Sequence, residues 1–119
     1  MKISIFILFL LGFIFTSPSI SAQCNTTIKV GQSFNWMKTM TDGSATESGQ
    51  FQILTIENEN FQVQYVNTTT STRKVLMGKL SNHLFTLTVS ETEIWAVECN
   101  EANHFRGKVG ELGLHIDKQ

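Results

Sequence analysis

Three histidines, two cysteines and a cluster of glutamates are the side chains here whose chemistry could go beyond packing. His83, His104 and His115 are widely spaced, with no HExxH pair and no Cys/His ligand spacing, so zinc has no ligand set and no metal site is expected. Glu91, Glu93, Glu98 and Glu101 crowd one segment. Two carboxylates that cleave a glycosidic bond must flank it about 5 to 10 Å apart in a cleft, and a chain this short has little room for one. The cluster reads as a solvated acidic region. A small hydrolase built on Glu98 and His104 is the least favoured reading. No GxSxG elbow accompanies the many serines, and no glycine-rich phosphate loop is present. The expectation is therefore no catalytic residue, no cofactor and no enzyme.

Cys24 and Cys99 allow a single intramolecular pairing, and no CxxC motif suggests redox chemistry instead. In an exported chain such a pair reads as a disulfide. Closing a loop of about 75 residues would contribute roughly 4 to 5 kcal/mol in the chain-entropy picture. The export reading comes from the N-terminus. Lys2 precedes an apolar run from Ile3 to Phe15, then Ser17, Pro18, Ser19, Ser21 and Ala22, the pattern of a secretory signal peptide. A membrane span needs about 20 apolar residues, more than this run supplies. Residues 1–22 are thus expected to be a cleaved leader and residues 23–119 one domain, secreted or periplasmic, with no membrane contact after cleavage. Asn25-Thr26-Thr27 and Asn67-Thr68-Thr69 match the N-glycosylation pattern, which matters only in a eukaryotic source.

Nine Lys and Arg face ten Asp and Glu, a net charge of −1. A nucleic-acid binder is expected to show a basic excess, so the composition argues against nucleic acid as a partner.

The elements that would position these residues are strands. Beyond Pro18 the chain has no proline, and short runs rich in Val, Ile, Thr, Phe and Trp alternate with turn residues. The runs are 28–40, 50–56, 61–66, 74–80, 84–89, 94–99, 104–109 and 111–116. Asp42-Gly43, Glu57-Asn58-Glu59-Asn60, Ser81-Asn82-His83 and Asn100 to Asn103 separate several of them as turns. Gly78-Lys79-Leu80 and Gly107-Lys108-Val109 sit at matching places in two hairpins, where a strand glycine marks a bend or a close approach. The spacing predicts an all-β antiparallel meander of about eight strands, a closed or nearly closed barrel, with a β-sandwich as the alternative. Pairing of the last strand with the first would remove the sheet edges.

An eight-stranded barrel is just wide enough to be filled by its own side chains or to hold one small ligand. Trp36, Phe51, Tyr65, Phe85 and Trp95 are the residues expected to line such a cavity. The functional expectation is an exported, non-enzymatic binding domain, inhibitor-like or adhesive, recognising a protein or glycan through loops or a barrel face. The alternative is a lipocalin-like carrier of a small apolar ligand.

Overall fold

The computed structural model describes residues 19–21, 26–101 and 103–119. Ten strands run through them: β1 (Ser19–Ser21), β2 (Thr27–Lys29), β3 (Ser33–Thr39), β4 (Ala45–Glu57), β5 (Asn60–Asn67), β6 (Thr72–Ser81), β7 (Leu84–Thr88), β8 (Ile94–Glu101), β9 (His104–Val109) and β10 (Leu112–Lys118). β1 and β2 form a small separate sheet, and β3 to β10 close into a barrel in which every neighbour is antiparallel. Closure is made by β10 on β3, with Ile116 opposite Trp36 and Leu114 opposite Lys38. The sandwich alternative is corrected by this pairing.

All eight expected strands are present, and the first of them is shortened. The run expected over 28–40 breaks at Gly31, whose φ of 91° only glycine adopts readily. Residues before it leave the barrel to pair with β1, and those after it begin β3. The turns follow local chemistry. Gly43 takes φ 89°, while the Asp42 carboxylate accepts from the Ser44 backbone N–H at 2.9 Å and from its hydroxyl at 2.7 Å. Asn58, Asn82 and Asn103 occupy the left-handed region in their turns, the conformation that Asn tolerates best after Gly.

Strand alternation places one face of each strand in a single core that includes Phe34, Trp36, Phe51, Phe61, Phe85, Trp95 and Phe105, all 1% exposed or less. Tight curvature needs places without side chains. A Cβ at Gly78 would meet the Phe61 ring at 2.5 Å, and one at Gly107 would meet Val97 at 2.7 Å. The two glycines at matching hairpin positions thus admit a neighbour's side chain into the barrel.

Most of the leader expected over residues 1–22 lies outside the described residues. Its Ser19–Ser21 portion forms β1, in register with Thr27–Lys29, and Ile20 is buried. Cys24 and Asn25 also lie outside them, so the Cys24–Cys99 bridge stands as a proposal. Thr26, two residues beyond Cys24, is held at the barrel end: its hydroxyl lies 3.3 Å from the Cys99 sulfur and accepts the Asn103 N–H at 2.6 Å.

Candidate functional site

At the end of the barrel where β3 finishes, period-two alternation carries Lys38 inward after Phe34 and Trp36. Lys38 is 6% exposed, unusual for lysine, and such burial requires charged partners. Its Nζ donates to both carboxylate oxygens of Glu93, at 3.0 and 3.1 Å, and lies 3.3 Å from Glu47. Glu47 sits directly opposite Lys38 on β4. Glu93 comes from the turn before β8 and also accepts the Trp95 indole N–H at 2.8 Å. The Asn67 amide nitrogen donates to Glu47 at 3.2 Å and to the Tyr65 hydroxyl at 3.5 Å, while its carbonyl accepts the N–H groups of Thr69 and Thr70. A sugar on Asn67 would have to displace those donor bonds from a residue that is itself buried. Above the network lies a depression of about 220 Å³ that also reaches Thr70, Thr72 and Lys74.

The charge balance at this mouth has a definite sign. Burial alone would lower the Lys38 pKa, but the hydrogen bonds and charges of Glu93 and Glu47 outweigh it and hold the ammonium above its usual value. While Glu93 and Glu47 are ionised, Lys38 therefore stabilises the fold below its unfolded pKa, and that contribution disappears as alkali passes its raised folded value. Burial likewise pushes the Tyr65 phenol up. A nucleophilic lysine must lose its proton near neutrality, and this one is held protonated.

The five aromatics expected to line a cavity are brought together, and they pack on one another. Trp36 stacks on Tyr65 at 5.5 Å and meets Trp95 edge-on at 5.0 Å, while Phe51 and Phe85 are 5.7 Å apart. Phe34, Phe61 and Phe105 join the second group. Those three were not singled out from the sequence, although each sits in phase with its strand's inward face.

The other chemically equipped surface is the outer wall of β9, β10 and β3. His104, Arg106 and Lys108 point outward from β9, with Asp117, His115 and Gly113 opposite them on β10. Asn35, Met37 and Thr39 continue the three rows on β3. His104 and His115 both face outward, on adjacent rows with separate partners. His104 Nδ1 is 2.5 Å from Asp117, and His115 Nε2 is 3.4 Å from the Thr39 hydroxyl. Arg106 donates to Asp117 at 2.8 Å. A groove of about 290 Å³ runs beside these rows, lined by Asn35, Met37, Gln50, Thr68, His115 and Asp117 among others. Of the expected acidic cluster, Glu93 serves Lys38, and Glu98 sits opposite Arg106. Among the described residues no group of three or more His, Cys, Asp or Glu could hold a metal ion.

Burial tends to raise the Asp117 carboxyl, yet hydrogen bonds from His104 and Arg106 carry it below the usual carboxylate range. A depressed acid stabilises the fold above its unfolded pKa and loses that effect as pH falls through its folded value. Asp117→Asn is expected to lower the melting temperature at pH 6 by a few degrees at most, because the pair is over a third exposed. The gap from wild type should close in thermal melts as the pH falls through the lowered Asp117 value.

Compared with known families, residues 14–116 match the model of the 8-oxoguanine DNA glycosylase, N-terminal domain. The chain belongs to this family. No curated protein and no solved structure shows a match. Membership overturns several expectations drawn from the sequence. A domain of a DNA glycosylase is not an exported, non-enzymatic binder of protein or glycan, nor a lipocalin-like carrier. The expectations of no enzyme, of no nucleic acid and of a secreted or periplasmic location fall with it. The leader expected over residues 1–22 stays a proposal, because most of it lies outside the described residues and the family match begins at residue 14. The charge argument failed for a different reason. A net charge near zero hides an uneven distribution, and contact with an anionic polymer depends on where cations sit.

Proposed function

We propose that this barrel serves a DNA glycosylase acting on 8-oxoguanine as a DNA-contacting domain inside the cell, and that the bond-breaking residue lies elsewhere in such an enzyme. The observation that carries this reading is the family match over residues 14–116. The site chemistry supports the division of labour. Lys38, the most shielded amine among the described residues, is fixed as an ammonium between two carboxylates, so it is a brace and not a nucleophile. The outer wall of β9 and β10 supplies what phosphate contact requires: Arg106 and Lys108 as cations, two imidazoles, and the amides of Asn35 and Gln50 along the adjoining groove. Asp117 holds Arg106 and His104 in place beforehand.

With two or three phosphate contacts, binding should be weak and steeply salt-dependent, with log K against log salt falling at a slope of about −2 to −3. Fluorescence anisotropy with a duplex of about 20 base pairs, with and without one 8-oxoguanine, measures this directly. Arg106→Ala with Lys108→Ala is expected to weaken binding about tenfold or more at low salt and to flatten the slope by nearly two. Absence of binding at about 20 mM salt, where counterion release favours association most, would overturn the reading.

A further inference from the structure

Away from the DNA-facing wall, β6, β7 and β8 carry a charge order of their own. The outward positions of β6 include Arg73, Val75, Met77 and Lys79, and the strand holds three cations and no acid. β7 has no charged residue. β8 and the turn before it hold Glu91, Glu93, Glu98 and Glu101 with no cation. Register places Met77 beside Thr88 and Thr88 beside Ile94 in one outward row, with Lys79, Thr86 and Ala96 in the next. Val75, Met77 and Ile94 are 57%, 54% and 62% exposed, well above what large apolar side chains usually show. A neutral apolar band is thus flanked by a basic strand on one side and an acidic one on the other. Among the described residues, the ion pairs within the chain involve none of Arg73, Lys79, Glu91 or Glu98.

We propose that this face joins two copies of the chain through a two-fold axis running along β7. A closed two-fold contact requires a surface complementary to itself. Rotation about β7 lays β6 of one copy over β8 of the other, so Met77 meets Ile94 and the cations of β6 approach Glu91 and Glu98. A two-fold axis across the strands would instead set β6 on β6 and like charge on like charge, which disfavours that arrangement. The occupant is therefore a second copy. β7 lies across the barrel from β3, so the β10–β3 part of the DNA-facing wall stays uncovered, while Arg106 on β9 borders the contact beside Glu98. Three strands about 4.8 Å apart and roughly 20 Å long give this face on the order of 300 Å² per copy, well below the ~800 Å² of a standard interface. The dimer is consequently weak, with a dissociation constant in the range of tens to hundreds of micromolar, and salt loosens it.

Sedimentation of the whole chain from about 10 μM to 1 mM at low salt tests this, a range chosen to span that affinity. Wild type is expected to move from monomer to dimer. Arg73→Glu with Lys79→Glu in one variant, and Glu91→Lys with Glu98→Lys in another, should each stay monomeric alone and recover the dimer when mixed in equal amounts. Met77→Glu should weaken association at least tenfold, and circular dichroism checks that it remains folded. The charge variants alter only exposed positions, so they keep the test open if Met77→Glu does not fold. A wild type that stays monomeric throughout overturns the proposal, even if a foreign protein is found on this face. So does a mixture no more associated than its components.

Discussion

Lys38→Ala is expected to cost about 2 to 4 kcal/mol of folding stability, measured by urea unfolding near neutral pH. Loss of the ammonium leaves Glu47 and Glu93 facing each other beside Trp95 with no counter-charge. Removing one member of a buried ion pair typically costs more than the pair contributed, because the survivors remain desolvated. Both carboxylates are partly exposed here, which places the expected loss toward the low side of what fully buried pairs give. Sign and cause can be separated by a second variant. Lys38→Met combined with Glu93→Gln and Glu47→Gln should recover most of the loss, since replacing all the charges by neutral groups of similar volume leaves none unpaired. If that triple variant were no better than Lys38→Ala, the lysine would be acting through packing and not through charge.

Gly49→Ala is expected to be at least as damaging, at about 3 kcal/mol or more, although it adds one methyl group. The new Cβ would stand 1.9 Å from the Val66 carbonyl oxygen and 2.7 Å from the Trp36 indole. Those two groups are themselves hydrogen-bonded, the indole N–H donating to the Val66 carbonyl at 3.2 Å. A methyl there pushes on both partners of one bond. One of them is backbone in the barrel wall and has nowhere to move. Trp36→Phe in the same chain should relieve only the indole part. The neighbouring Ser48→Ala, on the outward side of β4, should change stability by less than about 0.5 kcal/mol. Equal effects at positions 48 and 49 would contradict this account.

How much of this could be read from the chain depends on which rule governs each part. The barrel strands were legible because alternation of apolar and polar residues is set by the pleat itself, and Phe61, Val63 and Tyr65 display it without interruption. β2 was hidden inside the run over 28–40, since Gly31 breaks that strand only through its backbone angle. Inward placement of Lys38 was legible in principle from the phase of Phe34 and Trp36. The general tendency of lysine to face water argues against it, and only its acidic partners make that placement favourable. Its partner Glu93 lies 55 residues away, and no local pattern announces a contact made across a closed barrel. Net charge was read as a property of the whole molecule. The grouping of Arg106, Lys108 and two imidazoles on one wall exists only once β9 and β10 are paired.

The barrel's two ends are sealed with different materials. One is stoppered by hydrocarbon, where Ile20 and Ile28 of the small sheet join the core, and the other is bolted by an ammonium between two carboxylates. Grease does not respond to protons, whereas the bolt can be drawn by strong acid or strong alkali. Extremes of pH should therefore unzip this molecule from the charged end first, with amide exchange quickening around Thr39, Glu47 and Glu93 while the strands beside Ile28 stay shut.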